Sequence, residues 1–234
     1  MTRKQMVWTG AIAFLLALIA LFPLSLAISL SGVSGTLFSA RAIEGTVWSG
    51  RIRSLSIDGV PFGDFKASLS PVQLVQGHFG LRLTGEPEGT TRARLLSSLW
   101  AYGVDDLNAQ IVAPSAFAPL PVESLKLTNV AAEVRGKDCV IAAGQIEAVV
   151  DGSLIGLPER ITLTGSPRCD GDVILAPLAS ATGAETLRLR LALDGQYSFR
   201  LGVKPADQAM ADKLRGIGFA ETPLGFELSA TGRF

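Results

Sequence analysis

In LRLRLALDGQYSFRLGV (residues 187–203), apolar and polar residues alternate up to an Asp-Gly pair and alternate again after it. Successive side chains of an extended strand point to opposite faces. Leu187, Leu189, Leu191 and Leu193 therefore share one face, and Arg188, Arg190, Ala192 and Asp194 the other. Asp194-Gly195 supplies the positive φ that a two-residue hairpin turn needs. Tyr197, Phe199, Leu201 and Val203 then repeat the period of two. The segment predicts an antiparallel β-hairpin with one leucine-rich face.

The same pattern recurs outward from this hairpin. Phe65, Ala67 and Leu69 alternate before Pro71, and Phe79, Leu81 and Leu83 before Gly85. Leu125 with Leu127, and Ile161 with Leu163, fit it too, as do Phe226, Leu228 and Ala230 near the end. Ile52–Ile57 runs into Asp58-Gly59, a second turn signal. Strands at such short spacing indicate an all-β body rather than βαβ units. Helical signals are few. Ala206–Arg215 has Asp207 as a cap, Met210 and Leu214 on one face, and Gly216 as the stop. A second helical turn is expected over Thr91–Ala101, where Leu95, Leu96 and Leu99 would share a face. Asp105-Asp106 reads as a turn, and the proline-bearing Ala113–Pro121 as a loop and a possible sub-sheet boundary. GTLFS (35–39) is echoed by GTVWS (45–49). The two read either as paired strands opening the sheet or as coincidence.

The N-terminal end has a different character. After Arg3 and Lys4 no charge occurs before Arg41, and Met6–Ile28 is almost wholly apolar with no polar face. About 20 apolar residues match the ~30 Å hydrocarbon core of a bilayer. The basic pair ahead of the run orients the N-terminus to the cytoplasm. The expectation is an uncleaved anchor, with everything beyond about Ser31 across the membrane. The alternative is a secretory signal cut after Ser25-Leu26-Ala27.

Composition excludes several classes. The 21 basic and 21 acidic residues balance, so nucleic-acid binding has no electrostatic support. Cys139 and Cys169 in an exported chain favour a disulfide closing a loop of roughly 30 residues over two buried free thiols. Two thiols and one histidine do not complete a zinc site. His78, the single histidine, stands beside no nucleophile pattern. Glu86 and Glu88 around Pro87 read as a solvated loop. Asp170 and Asp172 around Gly171 fall short of the 6–8 oxygen ligands calcium takes. No phosphate-cradling loop or nucleophile elbow is present. The chain reads as no enzyme, with no cofactor, catalytic or metal residues.

Several segments, in order, resemble one known family. Gly45-Thr46-Val47-Trp48-Ser49-Gly50, after the apolar run, resembles the GTxWSG signature of type II secretion system protein N (general secretion pathway protein N). FKASLSPVQLVQGHFGLRL (65–83) resembles that family's strand, Pro-Leu turn and strand, although Phe65-Lys66 stands where a tryptophan is frequent. The Cys139 and Cys169 pair, Leu193–Tyr197, Lys204-Pro205 and the following helix, and Pro223–Phe226 continue the likeness. Ala109–Glu133 matches little. The resemblance implies a single-pass protein of the bacterial inner membrane, acting in the periplasm in export of folded proteins, with no catalytic residues to carry over.

The expected fold is thus mainly β. A transmembrane helix precedes an antiparallel, twisted or curved sheet, sandwich or open groove, with one short helix near the C-terminus. The expected organisation is 1–30 cytoplasmic N-terminus and anchor, 31–44 tether and first strand region, and 45–234 periplasmic β domain. Arg3 and Lys4 flank the anchor, and Gly45, Thr46, Trp48 and Gly50 carry the family motif. Expected partners are other secretion-system components and the inner membrane, with sheet edges as docking sites. A second reading is a β-groove that binds or transfers lipid, with Leu187–Leu193 and Tyr197–Val203 as part of its wall. In the bland alternative that face packs as core.

Overall fold

The computed structural model describes residues 3–30, 38–57, 60–71, 74, 79–86, 91–98, 100–112, 121–155 and 160–233. The Gly/Ser-rich segment 31–35, the Asp58-Gly59 turn, His78, Pro87-Glu88 and most of Ala113–Pro121 lie outside the described residues. The chain divides into two compact units, Met1–Gly89 and Thr90–Phe234.

The first unit holds helices α1 (Arg3–Ala20) and α2 (Leu24–Leu30). Its strands are β1 (Phe38–Ser39), β2 (Ala42–Thr46), β3 (Ser49–Ile57), β4 (Val60–Leu69) and β5 (Phe79–Glu86). The strands run β1-β3-β4-β5, antiparallel, with β2 also on β3. Ile52 and Leu55 of β3 and Phe65 and Ala67 of β4 form the core with Leu24 and Val47. A bulge interrupts β3, where Ser54 sits at φ 49 and its N–H donates to Asp64 Oδ1 at 2.7 Å. Glu86, expected in a solvated loop, ends β5 and pairs with Arg51 at 3.3 Å and Lys66 at 3.4 Å.

The apolar run does not continue as one helix to Ile28. α1 stops at Ala20, and Pro23 ends the helical path because it has no N–H to donate and its ring crowds the preceding turn. Among the described residues no helix is long and apolar enough to cross a membrane. α1 nevertheless leaves its apolar side chains uncovered on all sides: Trp8 is 71% exposed and Phe14 70%.

The second unit opens with β6 (Arg92–Ser97), β7 (Ala101–Ile111), β8 (Val122–Arg135), β9 (Asp138–Val150) and β10 (Ile161–Gly165). It continues with β11 (Arg168–Asp170), β12 (Val173–Ala179), β13 (Glu185–Ala192) and β14 (Gln196–Val203). Helix α3 (Gln208–Gly216), β15 (Ala220–Thr222) and β16 (Gly225–Arg233) complete it. The order is β6-β7-β8-β9-β10-β12-β13-β14-β16-β15, with β11 on β12. β13 and β14 are the hairpin predicted around Asp194-Gly195, with Gly195 at φ 86 and Leu187 opposite Leu201. One end of its leucine face is core, while Leu191, Leu193 and Tyr197 stay half-buried. Leu187, Leu201 and Val203 are buried in one cluster with Val150 of β9, Leu163 of β10, and Met210 and Leu214 of α3. Each such side chain contributes roughly 1.5–3 kcal/mol by leaving water.

Two local expectations fail here. Within Thr91–Ala101, Arg92–Ser97 is strand β6 rather than a helical turn. Leu95 and Leu96 pair with Val104 and Gly103, and Ser98 N–H donates to the Ala101 carbonyl at 2.7 Å. Ladder hydrogen bonds along β7 outweigh the weak helical spacing of three leucines. Asp105-Asp106 lies inside β7 at a bulge rather than at a turn, with Asp106 at φ 50. An aspartate tolerates that left-handed conformation, and Arg94 and Arg92 pair with Asp105 and Asp106, each at 3.2 Å.

α3 is built as its sequence suggests, with one shift at its end. Asp207 Oδ1 accepts the Met210 N–H at 2.8 Å. Gly216 is the last helical residue, and the left-handed position falls on Gly218 at φ 95. Gly218 N–H then reaches the Arg215 carbonyl and Phe219 N–H the Leu214 carbonyl, so two otherwise unpaired carbonyls are satisfied. The hydrogen bond from its guanidinium to Glu221 holds Arg215 above its ordinary pKa. Replacing Asp207 with alanine is expected to cost about 1 kcal/mol of stability. Guanidinium titration of the full chain checks this, and an unmoved midpoint would show the cap to be idle.

Candidate functional site: a hairpin pinned to the end of the first helix

The motif residues Gly45, Thr46, Trp48 and Gly50 make a two-residue hairpin. Gly45 pairs with Gly50 and Thr46 with Ser49, leaving Val47 and Trp48 at the tip. The tip grips the chain where α1 ends. Trp48 Nε1–H donates to the Ile19 carbonyl at 2.9 Å, and Val47 N–H to the Phe22 carbonyl at 3.0 Å. The last four carbonyls of a helix have no partner within it; the indole supplies one of them. Thr46 bridges to Pro23, and Leu69 N–H donates to the Val47 carbonyl at 2.8 Å, tying the tip to β4. Leu24, the first residue of α2, is 2% exposed beneath the hairpin.

Both glycines are required by this approach. A β-carbon on Gly50 would collide with Leu24 Cδ2 and with the Thr46 carbonyl oxygen. Gly45 has φ 84, and a β-carbon there would strike the Ser49 carbonyl. The motif is thus a close-packed clamp. Sequence reading located the clamp but not its counterpart. Ile19, Phe22 and Leu24 sit in an apolar run that gives no local sign of them except Pro23 and a lone tryptophan among small residues. Of the GTLFS echo only Phe38-Ser39 falls among the described residues; it is strand β1, and of its counterparts Trp48 lies at the hairpin turn and Ser49 opens β3.

Cys139 and Cys169 are joined in a disulfide, Cα–Cα 5.4 Å, linking the start of β9 to β11. Cys139 N–H also donates to the Gly171 carbonyl at 3.2 Å. Asp170 and Asp172 flank that glycine, which has φ 65. Among the described residues none that is polar or charged is buried, and no cluster of three His, Cys, Asp or Glu is placed to hold a metal ion. Arg3 opens α1 and Lys4 follows it.

Fold and clamp define a mainly β protein whose exposed apolar N-terminal helix is held at its end by a β-hairpin. The chain belongs to the type II secretion system protein N family, whose family model matches residues 36–228. Membership assigns it to the type II secretion machinery. The matched region contains the clamp hairpin and both cysteines, whereas α1 lies outside it. No curated protein and no solved structure matches the chain.

Proposed function

We propose that this chain is a non-enzymatic, inner-membrane-anchored component of the type II secretion system, acting from the periplasm by protein contact in the export of folded proteins. The family match over residues 36–228 carries the reading. The anchor is supported by α1: a helix apolar on every side and exposed along its length requires a covering, and lipid is the covering that needs no matching surface. The apolar part of α1, residues 6–20, rises roughly 22 Å, shorter than the ~30 Å hydrocarbon core. Thinning of the bilayer around the short helix accommodates that difference. The N-terminus is then cytoplasmic, and the clamp holds the first unit at the periplasmic end of α1, with Trp48 at interface depth.

Leu187, Leu201 and Val203 pack as core, whereas Leu191, Leu193 and Tyr197 on the same face are half-buried and outside that cluster, so only that end of the face is left to the lipid-groove alternative. Deleting the gene tests the proposal. Secreted enzymes are expected to accumulate in the periplasm and to return to the medium when the gene is supplied in trans. Undiminished secretion in the deletion strain would refute it.

A further inference from the structure

The face of β13 and β14 opposite the core has a charge pattern that the clamp does not use. Arg188 stands directly across from Arg200, and Arg190 lies one pair further along on the same face. Arg233 of β16 joins them, since it pairs with Gln196 two positions beyond Ser198, the partner of Arg190. All four are exposed. Directly opposed like charges work against a sheet, so this arrangement is not explained by stability. Among the described residues the nearest acidic relief is Glu227, 4.0 Å from Arg200; Arg188 and Arg190 have no ion-pair partner. A cleft of about 560 Å³ opens beside Arg188, Arg200 and Lys204, and is bounded by Leu224, which is 82% exposed. A second, of about 550 Å³, opens beside Arg190 and Arg233.

The neighbouring edge is open. β15 pairs only with Gly225, Phe226 and Glu227 of β16. Among the described residues no strand pairs the outer side of Leu228–Arg233. On the arginine face this stretch presents only Ser229 and Thr231 between the arginines and the edge. A strand added beyond β16 would lie ~4.8 Å from β16 and so roughly 10 Å from β14, within reach of Arg233 and of the Arg200 guanidinium passing over Ser229.

We propose that the open edge of β16 and the arginine face together bind an extended, acidic segment of a partner protein as an added strand. Backbone hydrogen bonds to Leu228–Arg233 give the docking, and carboxylates at alternate positions meet Arg200 and Arg233, while Arg188, one strand further in, adds to the positive field. An anionic membrane surface would satisfy the arginines but leave the strand edge without partners, which is why a polypeptide is the better occupant. The inference rests on the reading of this chain as a secretion component that works by contact, and names the chemistry of that contact.

The test uses the full-length chain in neutral detergent and a fluorescein-labelled peptide of alternating Glu and Val. Its Lys-for-Glu counterpart and vesicles of phosphatidylglycerol serve as controls. The Glu peptide is expected to bind and the Lys peptide not. Amide exchange is expected to slow within Leu228–Arg233. The double variant Arg188→Ala, Arg200→Ala should bind roughly tenfold more weakly, as charge-assisted contacts are lost, while unfolding at an unchanged or higher denaturant concentration. Equal binding of both peptides, exchange protection elsewhere, or binding to the vesicles alone would overturn the proposal. Normal secretion by the double variant in cells where deletion blocks secretion would overturn it while leaving the secretion assignment intact. Normal secretion after deletion would overturn the assignment itself, whatever the peptide does.

Discussion

Replacing Cys139 and Cys169 together with serine is expected to lower the stability of the Thr90–Phe234 unit by about 3–4 kcal/mol. The bond joins residues 30 apart in sequence, and its absence enlarges the unfolded ensemble by the freedom of that loop. The position adds to the effect. β11 is three residues long and among the described strands pairs with β12 alone, so the disulfide is its covalent tie to β9. Without it, β11 and the Asp170–Asp172 turn keep the Cys139 N–H bond to Gly171 and their pairing with β12. Guanidinium titration of the full chain, oxidised and serine-substituted, measures the difference. Coinciding midpoints would show that the crosslink contributes nothing.

The second large effect is expected at the clamp. Gly50→Val places a branched side chain against Leu24 Cδ2 and the Thr46 and Glu44 carbonyl oxygens. Neither oxygen yields, because both belong to the β2–β3 hairpin itself. Leu24 has no free volume to retreat into at 2% exposure, so α2 must leave the hairpin. Overpacking of this kind costs about 1–3 kcal/mol, and the Trp48 indole then loses its bond to the Ile19 carbonyl. In a background with Trp8 and Trp100 changed to phenylalanine, Trp48 emission should shift to the red and protease cleavage near Pro23 should accelerate. Identical emission and cleavage with and without the Gly50→Val substitution would mean that the hairpin does not hold the helix end.

What the sequence made legible follows from the range of the interactions involved. The β13–β14 hairpin and α3 announce themselves because period, turn and cap lie within a few residues of one another: Leu187 to Val203 with Gly195, and Asp207 with Met210. β6 was open to misreading because Leu95, Leu96 and Leu99 carry helical spacing over barely one turn, and its pairing with β7 is a tertiary fact. The same holds for Asp106, whose left-handed backbone belongs to a bulge set by the neighbouring strands. The Gly45–Gly50 motif stood out as a pattern, but its meaning required Ile19, Phe22 and Leu24, which are silent within an apolar run. The arginine face was present in the alternation of residues 187–203. That Arg188 meets Arg200 across the ladder, and that β16 leaves an edge open beside them, depends on register.

The central claim is that the β units serve secretion only while held at the membrane by α1. The most direct measurement compares secreted-enzyme activity in medium and periplasm of a deletion strain supplied with either of two forms. One is the intact chain; the other has residues 1–18 replaced by a cleavable signal peptide, so that the β units are released into the periplasm with Ile19, Phe22 and Leu24 still under the clamp. The intact chain is predicted to restore secretion, and the released form, folded and present at equal level, to leave the enzymes in the periplasm. Full restoration by the released form would contradict the account.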